Sequence, residues 1–100
     1  MYVRVWEYEV RTGQVEAFLA AYGATGAWAR LFARAEGYAG TQLFGDVNRA
    51  GRFLTVDRWH DAASWVAFLA GWGEEYRELD RRLHRLATGG EVVVEGVAPP

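Results

Sequence analysis

The chain has 100 residues, of which 51% are apolar and 15% aromatic, and its formal net charge is −2. This length and composition predict a single folded domain, residues 1–100, with a thin core, and they exclude a disordered tail. Cysteine and lysine are absent, which excludes disulfides, thiolate nucleophiles, Schiff-base chemistry and a phosphate loop ending in Gly-Lys-Ser/Thr.

The first part of the chain predicts a strand followed by a broken helix. Tyr2 to Val10 is rich in aromatic and β-branched residues, which favour strands. Apolar residues then recur at helical spacing from Val15 to Tyr22 and again from Trp28 to Phe32. Gly23-Ala-Thr-Gly26 breaks this helix in its middle, and we expect its second half to stop near Gly37.

Two strands joined by a short loop come next. Tyr38 to Gly45 is predicted to form strand two, and Arg52 to Trp59 strand three. The segment between them, Asp46-Val-Asn-Arg-Ala-Gly51, has the composition of a hairpin loop. The pair is therefore predicted to be antiparallel.

A long second helix and a final strand complete the chain. Asp61 is predicted to cap the helix, and Gly71 and Gly73 predict a bend, because each costs about 1 kcal/mol relative to alanine. Gly89-Gly90 is expected to end the helix, and Glu91 to Val97 to form strand four. The apolar stripe of the helix consists of Trp65, Phe68, Leu69, Trp72, Tyr76, Leu79, Leu83 and Leu86.

The resulting order, β-α-β-β-α-β, is that of the ferredoxin-like fold, an α+β class with a four-stranded antiparallel sheet. The strands are apolar on both faces: in strand one, Val3 and Val5 alternate with Tyr2, Trp6 and Tyr8. Two helices can cover only one face of such a sheet. We therefore predict a homodimer in which the uncovered faces of two copies pack together.

Charge and hydropathy also bear on partners and location. The slightly negative net charge argues against nucleic-acid binding. Without a membrane-spanning apolar run or a signal-peptide pattern at Met1, we expect a cytoplasmic protein that does not bind membranes. A basic cluster near the end of the long helix is interpreted as a solvated helix terminus. Its members are Arg77, Arg81, Arg82, His84 and Arg85.

Five segments carry a wider pattern that extends from Tyr2 to about Val97. They are W-E-Y in strand one, A-Y-G-x-x-G-A-W-A-R-L-F, G-Y-x-G-T-Q-L, R-F-L-T-V-D-R-W and, in the long helix, E-E-Y-R-E-L-D. Together they resemble the antibiotic-biosynthesis monooxygenase domain, a branch of the dimeric α/β-barrel superfamily. The resemblance implies a homodimer whose two sheets close into a barrel, with a ligand cavity between sheet and helices in each subunit.

The same resemblance limits the activities expected of this protein. Members of the family include oxygenases of polyketide quinones that use neither metal nor organic cofactor, quinol oxygenases, haem-degrading enzymes and proteins with no known activity. The haem-degrading members use an Asn-Trp-His set, whereas here Trp6 is present, the only Asn is Asn48 in the hairpin loop, and the His is replaced near Glu78. The resemblance implies a cofactor-free monooxygenase of a small aromatic, quinol or polyketide-like compound. A non-catalytic dimeric module that binds a small apolar ligand is the alternative.

Cofactor-free oxygenation requires few components from the protein. A deprotonated phenol or enol can reduce dioxygen directly, so the site needs a dry apolar pocket, a base and a donor for the anion. Aromatic side chains suit a planar substrate because they stack on it. Each tryptophan could instead fill the core, and we expect a mixture of both roles. The candidate wall residues are Trp6, Trp28, Trp59, Trp65 and Trp72.

The polar candidates are two residues near the long helix and two carboxylates. His60, between strand three and the helix, is the candidate base, because an unperturbed histidine has a pKa of about 6.5. Tyr76, on the apolar stripe, is the candidate donor to the anion, and each of the two residues could instead be structural. Glu7 and Asp57, inside the expected central strands, are the next candidates for the base. The arginines that could neutralise them are Arg4, Arg52 and Arg58. With only two histidines and no cysteine, no metal site is predicted.

Overall fold

The computed structural model describes residues 1–99, which form four strands and three α-helices. The strands are β1 (Tyr2–Val10), β2 (Tyr38–Gly45), β3 (Arg52–Trp59) and β4 (Ala87–Val97). The α-helices are α1 (Val15–Tyr22), α2 (Ala27–Phe32) and α3 (Ala62–Leu83), and a 3₁₀ turn at His84–Leu86 joins α3 to β4. The predicted α+β, ferredoxin-like order is confirmed, including the break in the first helix.

The four strands form one antiparallel sheet in the order β2-β3-β1-β4. β1 and β3 are therefore the central strands. In their register Arg4 lies opposite Asp57, and Tyr8 lies opposite Phe53. Since side chains alternate along a strand, these four residues share the face of the sheet that the helices cover.

The core lies between this covered face and the helices, and it is built mainly from aromatic rings. Trp59, Phe18 and Phe68 are each less than 2% exposed. Trp59 meets Phe32 edge-on at 5.4 Å between ring centroids. Edge-to-face pairs of this kind contribute about 0.5–1.5 kcal/mol beyond the burial of apolar area. A dense aromatic core thus anchors the three α-helices to the sheet.

The opposite face of the sheet, which we call the outer face, carries no helix. Val5 lies on it, opposite Val56 in β3 and Val94 in β4. Phe44 in β2 and Val94 are 48% and 50% exposed. The predicted second apolar face is therefore present, and it is open in the single chain.

The long helix α3 begins and bends where the sequence predicts. Asp61 caps it, with its Oδ1 accepting a hydrogen bond of 2.8 Å from the backbone N–H of Ser64. Trp72, between Gly71 and Gly73, departs from helical geometry (φ −126°, ψ 17°), which kinks the helix. No helix within residues 1–99 combines the length and hydropathy needed to cross a membrane.

The C-terminal boundary of α3 differs from the prediction. The α-helix ends at Leu83, and β4 already begins at Ala87, so Gly89 and Gly90 lie in the strand instead of ending the helix. In the strand, Gly90 lies opposite Tyr8 in the register. A Cβ atom at Gly90 would lie 2.6 Å from Cε1 of Tyr8. Glycine at this strand position leaves room for the tyrosine ring.

The first helix also stops earlier than predicted. α2 ends at Phe32 instead of near Gly37. Arg34 and Ala35 donate their backbone N–H groups to residues three positions earlier, Leu31 and Phe32. These hydrogen bonds tighten the chain into a turn that leads to β2.

Candidate functional site

A cavity of about 460 Å³ lies between the covered face of the sheet and the helices. Its inner part is walled by buried or half-buried side chains, and its mouth by exposed ones from the segment after β1, the end of α3, the 3₁₀ turn and the start of β4. The inner lining consists of Trp6, Tyr8, Tyr22, Trp28, Phe32, Thr55, Asp57 and Tyr76. The mouth consists of Arg11, Asp80, His84, Arg85, Thr88, Gly89 and Gly90.

Aromatic rings form most of the inner wall. Tyr8 from β1 meets Tyr22 from α1 edge-on at 5.0 Å, and Trp28 from α2 meets Tyr76 from α3 edge-on at 5.2 Å. Trp6 stacks on Tyr8 with nearly parallel planes, 13° apart. Because the rings come from four different elements, the wall forms only when the helices dock on the sheet. Such a surface suits a flat, apolar ligand.

One carboxylate interrupts this apolar lining. Asp57, in the central strand β3, is only 6% exposed. Its Oδ1 accepts a hydrogen bond of 2.7 Å from the Thr41 hydroxyl. The Tyr38 hydroxyl lies 2.6 Å from Thr41 Oγ1 and donates to it, since the Thr41 proton is already directed at Asp57.

The environment makes Asp57 a stronger base than an ordinary aspartate. Burial raises its pKa to about 6, although the hydrogen bond from Thr41 and the positive charge of Arg4 act in the opposite direction. At neutral pH the group is therefore mostly a carboxylate. It takes up a proton far more readily than a solvated aspartate does.

Two of the residues that line the cavity carry hydrogen-bond donors. The indole nitrogen of Trp28, Nε1, is buried and makes no hydrogen bond of good geometry within residues 1–99, although the Tyr22 hydroxyl approaches it as an acceptor. Burial raises the pKa of the Tyr76 phenol, which therefore stays protonated and able to donate. Unpaired buried donors are costly, so a ligand oxygen that accepts these bonds would stabilise the site. Base and donors together provide the components for ionising an acidic ligand.

A family model described as antibiotic biosynthesis monooxygenase matches residues 1–86. The chain belongs to the antibiotic biosynthesis monooxygenase family. The predicted resemblance is thus confirmed, and the matched residues include β1 to β3, all three α-helices and most of the cavity lining, whereas β4 lies beyond them. No protein of curated function matches the sequence.

Solved structures of similar fold agree with the family assignment. One is a variant of SnoaB, a cofactor-independent oxygenase from Streptomyces nogalater, with 19% identity, coverage of 99% of this chain and 93% of that chain, and a TM-score of 0.73. Another, from Bordetella bronchiseptica and assigned to the same family, has 20% identity, coverage of 99% and 97%, and a TM-score of 0.76. At these identities the similarity establishes the fold alone.

In this member of the monooxygenase family, the tryptophans divide between cavity and core. Trp6 and Trp28 line the cavity. Trp59 and Trp65 are 0% and 8% exposed, pack on each other at 5.4 Å and are not among the lining residues. Trp72 is half-buried beneath the Arg34 guanidinium, whose carbon lies 5.4 Å from the ring. Two of the five tryptophans thus line the cavity, and a substrate-binding role for them stays a prediction.

The polar candidates also differ in where they lie relative to the cavity. Tyr76 lines the cavity, whereas the His60 side chain is 82% exposed, lies 3.3 Å from Asp61 and is not among the lining residues. Glu7 belongs to the outer face, where its Oε1 pairs with Arg52 Nε at 2.8 Å. Of the two central-strand carboxylates, only Asp57 reaches the cavity. Within residues 1–99, no three His, Asp or Glu side chains are grouped as metal ligands.

Several lining residues were not among the sequence candidates. Tyr8 shares the strand parity of Trp6, so alternation in β1 already indicated that the two lie on one face. His84 and Arg85 were assigned to a solvated helix end, but the 3₁₀ turn brings them to the mouth of the cavity. No local sequence pattern identifies Tyr22 as a lining residue, because its exposure to the cavity depends on how α1 docks on the sheet.

Proposed function

We propose that this protein is a cofactor-independent monooxygenase that acts on a small aromatic, quinol or polyketide-like compound. Membership of the monooxygenase family supports the reaction class. The observation that carries the proposal is the buried carboxylate of Asp57, with its raised pKa, inside an aromatic-walled cavity. A cavity built only to bind an apolar ligand gains nothing from such a group, since burying a charge is costly.

The first step is removal of a proton from the substrate. Asp57 takes the proton of a phenol, or of a methylene made acidic by adjacent rings, and becomes a neutral carboxylic acid. The negative charge then rests largely on the substrate oxygen. Trp28 Nε1–H and the Tyr76 hydroxyl donate hydrogen bonds to that oxygen. The surrounding rings keep water out, which strengthens these bonds.

The second step is reaction of the anion with dioxygen. The anion transfers one electron to O₂, and the two radicals combine into a carbon-bound peroxide, which takes up a proton. When the attacked carbon was a methylene, loss of water from this hydroperoxide leaves a carbonyl. One oxygen atom of O₂ stays in the product, the other leaves as water, and the substrate supplies all the electrons.

We also propose that two copies associate through their outer faces. The exposed valines and Phe44 in the sheet support this arrangement, because a contiguous apolar surface is unfavourable in water. The cavity lies on the other side of the sheet, so pairing would leave its mouth accessible.

Oxygen uptake tests the proposed activity. The protein is expected to accelerate dioxygen consumption with an anthrone or a hydroquinone, at a rate unchanged by a chelator and without added flavin. The matched control is Asp57→Asn, which keeps the cavity but removes the base. Uptake at the uncatalysed rate across a panel of such substrates would contradict the proposal, and saturable binding without uptake would indicate the ligand-binding alternative.

The role of Trp28 as a donor leads to a separate prediction. Trp28→Phe keeps an aromatic ring in the wall but removes the N–H group, so affinity for an ionised naphthol should fall roughly tenfold. Quenching of the remaining tryptophans by the ligand gives the dissociation constant. Trp72→Phe, outside the cavity lining, is the control and should bind as wild type does. Equal affinities in both variants would exclude the indole as a donor.

A further inference from the structure

Arg4 is a partly buried cation beside the cavity, although it is not part of the lining. Its side chain is 15% exposed. The guanidinium carbon lies 4.3 Å from the ring centroid of Trp65 and 6.0 Å from that of Trp6, which does line the cavity. Its Nε atom is buried without a hydrogen-bond partner within residues 1–99. The packing of the two indoles thus holds an incompletely satisfied positive group in place.

The only carboxylate that pairs with Arg4 within residues 1–99 neutralises it incompletely. Arg4 Nη1 lies 3.0 Å from Oε2 of Glu95, a residue of β4 that is 56% exposed. The Tyr2 hydroxyl also bonds Glu95 and lies 3.3 Å from Arg4 Nη1. Water screens a half-exposed carboxylate, whereas the buried side of the guanidinium is screened much less. The positive potential of Arg4 is therefore directed inward.

Asp57 is the acidic group that lies in this direction. Arg4 and Asp57 are directly opposite in the β1–β3 register and share the covered face. Side chains in such positions have Cβ atoms about 4.5–5.5 Å apart. We propose that Arg4 is a positioning residue that holds Asp57 in its carboxylate form, so that the base is ready to accept a substrate proton near neutral pH. The catalytic part of this inference rests on the proposed function.

The other groups packed around Asp57 are neutral hydroxyls. Thr41 and Tyr38 approach from β2, Tyr8 from β1 and Tyr76 from α3. Burial raises the pKa of each of the three tyrosines, so none carries charge near neutral pH. The hydrogen bond from Thr41 and, after it, the positive charge of Arg4 offset the desolvation of Asp57. Without Arg4, burial would favour the protonated acid more strongly.

Direct titration of Asp57 tests this inference without any assay of turnover. The carboxyl carbon of Asp57, followed by ¹³C NMR in the ligand-free protein, reports its pKa in wild type and variants. Arg4→Gln removes the positive charge and is expected to raise the pKa by about 1 unit or more. Arg4→Lys keeps the charge and should titrate closer to wild type. Arg82→Gln, an equal change of net charge at the exposed end of α3, should have no effect.

Arg4→Met provides a second uncharged variant whose apolar stem still packs between the indoles, should Arg4→Gln fail to fold. An Asp57 titration that is the same in an uncharged Arg4 variant and in Arg82→Gln would overturn the inference. Because the measurement needs only folded protein, it is independent of the oxygenase proposal. If the protein is active, the acid limb of the kcat/KM profile should shift upward in pH with the NMR pKa.

Discussion

Replacing Asp57 with Asn is expected to abolish oxygenation while making the protein more stable at alkaline pH. Loss of a general base typically lowers turnover by about 10²–10⁴-fold. In the wild type, Asp57 is the base only when ionised, so activity should rise with pH through about 6, the pKa that burial gives the group. Oxygen uptake between pH 5 and pH 8 measures both effects.

The stability gain follows from the same pKa. A folded-state pKa of about 6, against an ordinary 3.8, means that the fold binds this proton more tightly than the unfolded chain does. With respect to Asp57, the folded state is therefore most stable relative to the unfolded chain at low pH, where the group is protonated. This stability is lost as the pH rises through about 6. The loss is up to about 3 kcal/mol, at about 1.4 kcal/mol per pKa unit. Asn avoids it and still accepts the hydrogen bond from Thr41.

Chemical denaturation at pH 8 and at lower pH measures this gain, which should shrink as the pH falls towards 4. Glu7→Gln is the control: Glu7 lies in the other central strand, but on the outer face and paired with Arg52. It should keep the pH profile of activity. Wild-type turnover in Asp57→Asn would assign the base elsewhere, and an unchanged stability at pH 8 would mean that the carboxylate is not desolvated.

Replacing Val5 with Asp is expected to turn a homodimer into a monomer. Val5 lies at the middle of the outer face, opposite Val56 and Val94. In the proposed dimer a charge at this position would be buried without a partner, which costs several kcal/mol. Sedimentation should give about twice the chain mass of 11.2 kDa for the wild type and a single chain mass for the variant.

The control for this prediction carries the same substitution on a different surface. Val66 is 62% exposed on α3, away from the sheet, so Val66→Asp should remain dimeric. Circular dichroism separates dissociation from unfolding in each variant. A wild type that is a folded monomer at micromolar concentration would contradict the proposed dimer. A Val5→Asp variant that stays dimeric would place the contact on another surface.

The strand and helix pattern could be predicted because it depends on local periodicity. Alternation in β1 and β3 and the spacing of apolar residues in α3 indicated the correct elements and their order. The end of α3 could not be predicted in the same way. Locally, Gly89 and Gly90 have the composition of a helix stop. In the structure Gly90 lies in β4 opposite Tyr8, 82 positions earlier in the chain, and a side chain at Gly90 would collide with the tyrosine ring.

By itself the sequence determined the ferredoxin-like order, the two apolar faces of the sheet and the family, since all three depend on residue types at regular spacing. Only the tertiary structure decided which polar group faces the cavity. Asp57 is buried on the face of the sheet that the helices cover, where it accepts a hydrogen bond from Thr41, whereas His60, three residues later, lies beyond the end of β3 in solvent. Burial of a side chain depends on the elements that dock over it, and no local pattern in the chain records that docking.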